Sequence, residues 1–116
     1  MERLKVLLHV NEASRWPVLL INAGNLVNDV GPEKVAIEVV ANGEAVTVFA
    51  NGFGQGSALR EMERLAGVGV DFVLCRNALA MHSVPGHRLP SFVRIVPAGI
   101  TEIIRKQLQG YAYVKP

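Results

Sequence analysis

The sequence predicts an α/β fold, a mainly parallel sheet of about five strands with helices on both faces. Short apolar runs rich in branched residues recur along the chain, at Leu4 to Val10, Val35 to Val40, Val70 to Leu74 and Phe92 to Val96. After each of the first three, and again after the fourth, apolar residues return at helical spacing. Glycine and proline punctuate the transitions, as at Gly31-Pro32. The 116 residues suit one domain, 1–116, with a substantial core and no room for a second.

Leu4 to Val10 reads as a first, buried strand. Ser14 is a candidate N-cap with Pro17 tolerated in the first turn, and Leu19, Ala23, Leu26, Val27 and Val30 share a helical face that Gly31-Pro32 terminates. Val35 to Val40 is a second strand, closing at Ala41-Asn42-Gly43. Ala45 to Phe49 suits either a short strand or an irregular crossover. After the glycine-rich stretch 51–57, Ala58, Leu59, Met62, Leu65 and Ala66 mark the inner face of a helix ending near Gly67 and Gly69. Val70 to Leu74 is the third main strand, Asn77 to His82 a short helix, and Ser83 to Ser91 a loop. Phe92 to Val96 is the fourth strand. Ile100, Ile103, Ile104 and Leu108 form the inner face of a last helix with Gly110 at C′, and Tyr111 to Val114 alternates as a closing strand. Each crossover is right-handed by default, but strand order does not follow from sequence.

Half of the residues are hydrophobic and mean hydropathy is +0.27, which implies apolar surface buried between subunits and hence a homo-oligomer. Trp16, Phe53, Tyr111 and Tyr113 are the aromatic candidates for that interface. Twelve basic residues against ten acidic ones, with no basic stripe, argue against nucleic acid as a partner. The amino terminus turns polar at His9 and Asn11, too soon for a signal peptide, and no window approaches the ~20 apolar residues of a membrane helix. A lone cysteine forms no intrachain disulfide, so the expected compartment is the reducing cytoplasm.

That cysteine, Cys75, falls where the third strand stops and a helix starts. In parallel sheets this is the edge where ligands bind, and the amide groups of a helix start favour the thiolate, the reactive form of sulfur. Two readings stand: an accessible, low-pKa nucleophile, or a packed core thiol. If the sheet is parallel, the same edge carries His9, Asn11, Asn42, Arg76, Asn77 and Gly99. Asn77 and the helix amides suit anion stabilisation. His9 suits a hydrogen bond to sulfur, or a satisfied core position. The Gly52 to Gly56 loop matches neither a P-loop nor a dinucleotide fingerprint, and reads as a mobile surface loop sooner than as a phosphate cradle. Cys75, His82 and His87 have no standard zinc spacing, and no metal or cofactor is expected. Glu61 and Glu63 point in different directions on a helix and belong to a solvated face.

The segments His9-Val10-Asn11-Glu12, Ile37-Glu38-Val39-Val40-Ala41, Phe72-Val73-Leu74-Cys75-Arg76-Asn77-Ala78-Leu79 and Gly99 to Pro116, with its Gly110-Tyr111-Ala112-Tyr113 tail, occur in collinear order. Together they resemble the small single-domain members of the DsrE/DsrF-like family, across nearly the whole chain. The resemblance implies a three-layer α/β/α sandwich assembled as a homotrimer or hexamer. It also implies sulfur relay, in which a cysteine matching Cys75 accepts sulfur as a persulfide and passes it to a partner protein. His9 carries over only as a site-lining residue. The expected function is therefore a cytoplasmic sulfur carrier with separate donor and acceptor proteins, transferase-like at most. The alternative is a non-catalytic or regulatory module binding a small anionic or nucleotide-like ligand at the same edge.

Overall fold

The structure is a computed structural model that describes residues 3–50 and 56–116. Strand β1 (Leu4–Val10) leads through a 3-10 turn into helix α1 (Trp16–Val30), and β2 (Val35–Ala41) is followed by a 3-10 segment, Gly43–Phe49. Helix α2 (Gly56–Gly67), strand β3 (Asp71–Cys75), the short helix α3 (Arg76–Met81) and strand β4 (Val93–Val96) come next. Helix α4 (Gly99–Leu108) and strand β5 (Ala112–Val114) close the chain. The five strands form one sheet in the order β4-β3-β2-β1-β5, with every adjacent pair parallel.

The layering follows from that order. From β1 to β4 the chain steps across the sheet in one direction, and right-handed crossovers then put α1, α2 and α3 on one face. Between β4 and β5 the chain reverses and crosses the whole sheet, so the same handedness sends α4 to the opposite face. The result is the three-layer α/β/α sandwich that the sequence led us to expect, with unequal outer layers.

On the first face Val6, Leu8, Val10, Val35, Ile37, Val39, Phe72 and Leu74 pack against Trp16, Leu19, Leu20, Leu59, Met62 and Leu65. The Trp16 indole donates to the Ala45 carbonyl at 2.9 Å, which ties α1 to the 3-10 segment. The opposite face has a smaller core of Leu7, Val40, Val73 and Ile103, with Val96 and Tyr111 against it.

Several local expectations are corrected. Ser14 is not the cap of α1. It lies inside the Ala13–Arg15 turn, and the Glu44 carboxylate instead accepts the Ala13 N–H at 2.6 Å. Ala45 to Phe49 is neither strand nor irregular, because it belongs to the 3-10 segment that buries Ala45, Val46 and Phe49. Trp16 is 1% exposed and is a core residue, not an interface one. Of the expected inner face of α4 only Ile103 is buried, while Ile100, Ile104 and Leu108 remain 59%, 52% and 83% exposed. Phe53 and Gly52 to Gly54 lie outside the described residues. No helix among the described residues is long and apolar enough to cross a membrane.

Candidate functional site

Strands β1, β2 and β3 send their outgoing connections to one face, and β4 sends its own to the other. The connections therefore part between β3 and β4, the position where open parallel sheets form a binding crevice beyond their carboxyl ends. Cys75 is the last residue of β3 and aligns with Val96 of β4. Strand alternation turns its Cβ toward the α4 side with Val73, yet at the strand end its side chain packs into the first-face core that also holds Ala78 and Leu79. Gly99, the first residue of α4, lies against it. A Cβ added there would stand 3.2 Å from Asn42 Cβ, 3.3 Å from Cys75 Cβ and 3.4 Å from Val40 Cγ1. A larger residue would push the helix start off the sheet, so glycine lets the amino end of this ten-residue helix, the positive end of its dipole, come down between Asn42 and Cys75. Cys75 is 7% exposed, so it is a buried thiol and not an accessible one.

His9 shares the α4 face by the same alternation, because it stands two residues beyond the buried Leu7. Register supplies its partners. Leu7 aligns with Tyr113 and His9 with Val40, so His9 stands one pleat beyond Tyr113 on one side and one pleat short of Asn42 on the other. Its Nδ1 lies 2.6 Å from the Tyr113 hydroxyl, and its Nε2 lies 2.8 Å from Asn42 Oδ1. Oδ1 can only accept, so Nε2 carries the proton and donates. In the neutral ring Nδ1 then accepts from the tyrosine hydroxyl. Burial holds the His9 pKa below the ordinary histidine value, with Lys115 acting in the same direction and the Asn42 hydrogen bond opposing both. Tyr113, Asn42 and Cys75 thus join His9 in a row across β5, β1, β2 and β3. His9, Asn42 and Cys75 are legible on this edge from the sequence, whereas Tyr113 reads there only as a candidate for subunit contacts. The alternating Tyr111-Ala112-Tyr113-Val114 tail signalled a strand without signalling its neighbour.

The other expected site residues are dispersed. Asn11 follows β1, and its Oδ1 is buried with no hydrogen-bond partner among the described residues. Arg76 and Asn77 lie in α3, exposed, and among the described residues no side-chain hydrogen bond ties either to the edge. No group of three or more His, Cys, Asp or Glu among the described residues is placed to hold a metal ion.

The same face carries a charged cluster that sequence reading missed. Glu38 is 2% exposed in the middle of β2. Arg94 reaches its Oε1 at 3.2 Å, Asp71 at 2.9 Å and Glu102 at 3.3 Å, and Lys106 lies 3.5 Å from Glu38 Oε1. Burial pushes the Glu38 pKa up to about 8, and the neighbouring Glu102 adds to the shift through a hydrogen bond and its charge. A single glutamate within Val-Ala-Ile-Glu-Val-Val-Ala was the available signal. Beside α4 and β4 a cleft of about 330 Å³ is lined by Val96, Pro97, Ala98, Thr101, Glu102 and Arg105, one strand from Cys75. A larger cleft of about 530 Å³ lies on the first face, between α1 and the β1 and β5 strands, away from the thiol.

The family model described as DsrE/DsrF-like matches residues 6–116. Among curated proteins no relative is found. Solved structures similar to this chain include two proteins. A protein of unknown function, MTH1491 from Methanobacterium thermoautotrophicum, is 34% identical, with 97% of this chain and 99% of that one covered and a TM-score of 0.85. The ychN protein from E. coli is 18% identical over the whole of both chains, with a TM-score of 0.76, a likeness of fold alone.

Proposed function

The chain belongs to the DsrE/DsrF-like family, and from that premise we propose that it is a sulfur carrier in which Cys75 holds sulfur as a persulfide between a donor and an acceptor protein. The observation that carries this reading is the position of the only cysteine, at the parting of the connections between β3 and β4 and under the amino end of α4. The Cys75 thiolate attacks the outer sulfur of a donor persulfide, R–S–SH. A new S–S bond forms on Cys75, the donor's S–S bond breaks, and R–S⁻ leaves with the bonding pair, so nothing is oxidised or reduced overall. The acceptor nucleophile then attacks the outer sulfur of Cys75–S–SH, and the Cys75 thiolate is restored. With one cysteine in the chain, no resolving thiol exists within it and release goes to another molecule.

Burial of Cys75 suits a carried persulfide, because a group shielded from water and stray thiols keeps its sulfur until a partner docks at the edge. Docking must then open the first turn of α4, whose Gly99 lies against Cys75. The proposal includes assembly as a homotrimer or hexamer and a cytoplasmic location, where the thiol stays reduced.

Incubation with a low-molecular-weight persulfide followed by intact-mass analysis tests it. One added sulfur per chain is expected, lost on treatment with a reductant and absent in Cys75→Ser. A wild-type chain that gains no sulfur from small donors or from candidate sulfurtransferases defeats the carrier reading. Cys75 would then be a core thiol, and the edge a binding surface for a small anion.

A further inference from the structure

We propose that Glu38 and Glu102 form a proton-held latch that fixes the first turns of α4 to the sheet, so that losing the proton loosens the helix whose start lies against Cys75. The opening itself is independent of the carrier reading. Its use, easier release of sulfur as pH rises, rests on that reading.

Glu38 Oε1 and Glu102 Oε2 reach the same guanidinium nitrogen, Arg94 Nη2, at 3.2 and 3.3 Å, and Asp71 Oδ2 reaches it at 2.9 Å. Lys106 supplies a second cation, 3.5 Å from Glu38 Oε1. Three carboxyl groups thus meet two cations, and a proton on one of them balances the cluster. Glu38 is the one that solvent cannot help, at 2% exposed, and its buried Oε2 has no hydrogen-bond partner. As a carboxylate oxygen it would be left unsatisfied; protonated, it donates to Glu102. The rise of the Glu38 pKa to about 8 has the same cause, burial first and Glu102 second. From β1 the same face carries Lys5, engaged with the Gln109 carbonyl at 2.6 Å and with the Tyr111 ring that Lys106 also covers.

When Glu38 ionises, one side of the pair must give way. Glu38 cannot, because β2 is paired on both sides at that residue. Glu102 can. It stands on α4, whose buried residues are Gly99 and Ile103 alone, so polar contacts carry much of the helix's attachment. Glu102 also borders the cleft of about 330 Å³ between α4 and the end of β4, and water enters there once the helix lifts. One turn back along α4, Gly99 lies against Cys75, and lifting the turn that holds Glu102 lifts Gly99 with it. The closed form keeps its proton up to about pH 8, whereas the open form releases it in the ordinary carboxylate range near ~4.3. Opening therefore becomes more frequent as pH rises between those values, by at most about tenfold per pH unit, and levels off above them.

Amide hydrogen exchange along α4, corrected for the intrinsic rate at each pH, tests the latch. Protection at residues 102–106 should lie at least about tenfold below that of β3, so that it reports opening of the helix and not global unfolding. In the wild type it is expected to fall about tenfold from pH 6.5 to 8, and in Glu38→Gln, which imitates the protonated acid, to stay within about twofold. Glu102→Gln, whose amide can donate to an ionised Glu38, should also lose the dependence. Alkylation of Cys75 by iodoacetamide is the second readout. The wild-type rate divided by that of Glu38→Gln should rise about tenfold over the same interval, because ionisation of the thiol itself cancels in the ratio; a charge on Glu38 acting directly on the thiolate would lower it. Wild-type protection that falls no faster than in Glu38→Gln overturns the latch, as do protection equal to that of β3 and an alkylation ratio that stays flat or falls. If Glu38→Gln does not fold, Glu102→Gln takes its place in both comparisons. Neither readout needs sulfur, so the latch can fail while the carrier reading stands, and sulfur uptake can fail while the latch stands.

Discussion

Glu38 shows what one residue can impose on this fold. Its Oε1 faces Arg94 and Lys106, while its Oε2 is buried with no hydrogen-bond partner, an arrangement that would be costly for a carboxylate. A proton on Glu38 resolves it. The protonated oxygen donates to Glu102, whose own pKa is lowered first by that bond and further by Arg94. Between the ordinary carboxylate range near ~4.3 and the folded value of about 8, the folded chain keeps a proton that the unfolded chain releases. Stability contributed by Glu38 is therefore present at low pH and lost as pH rises through that window. His9 and Glu102 have lowered values and the opposite sign, but both act only below the ordinary histidine range near ~6.5. From pH 7 to 8.5 neither of these two contributes, and comparison with Glu38→Gln separates Glu38 from the other groups that titrate there. Denaturant midpoints should show the wild type losing on the order of 1 kcal/mol across it, and Glu38→Gln losing little. An equal slope in both chains would mean that Glu38 is already ionised in the fold.

At the scale of elements, α4 differs from the other helices. Helices α1 and α2 share one face and pack on each other, whereas α4 alone covers its own. Its Gly99 end is fixed by close contact with Asn42 and Cys75, and its middle by Ile103 and by Glu102 and Lys106 over the charged cluster. Gly99→Ala should test the first anchor. The added methyl meets Cβ atoms at 3.2 and 3.3 Å, both carried by strand ends that yield little, so a loss of roughly 1 to 2 kcal/mol is expected in chemical denaturation. If the carrier reading holds, faster loss of sulfur from loaded Cys75 should accompany it, because the lifted helix start uncovers the persulfide. Unchanged stability would show that α4 shifts freely and does not seal the site.

For the whole molecule, Ile100, Ile104 and Leu108 recur every fourth residue and form an exposed apolar stripe on α4, while Tyr113 and Val114 are exposed on the edge strand at 40% and 43%. Surface of this kind is expected to be buried between copies of the chain. Light scattering on a sizing column should give the mass of a trimer or a hexamer, and Ile104→Lys should lower that mass at micromolar concentration while leaving the fold intact by circular dichroism. A wild-type monomer across that range would remove the assembly from the proposal and leave the stripe without an explanation.

The order and kind of the main elements, the parallel sheet and the edge that carries Cys75, His9 and Asn42 are legible in the residues alone. These are local matters. A run such as Leu-Lys-Val-Leu-Leu-His-Val must be a mostly buried strand, and the glycines and prolines that end the helices act through their own backbone angles. The rest came from long-range packing. Strand order placed the parting of the connections beside Cys75, register set His9 between Tyr113 and Asn42, and reversal of direction after β4 left α4 alone on its face. Periodicity showed that α4 has an apolar side but not that most of it would lack a neighbour, and it marked Tyr111 to Val114 as a strand without showing that β5 pairs with β1 and so brings Tyr113 to His9. Pairing between strands far apart in the chain depends on the sum of long-range contacts, and no single segment carries that information.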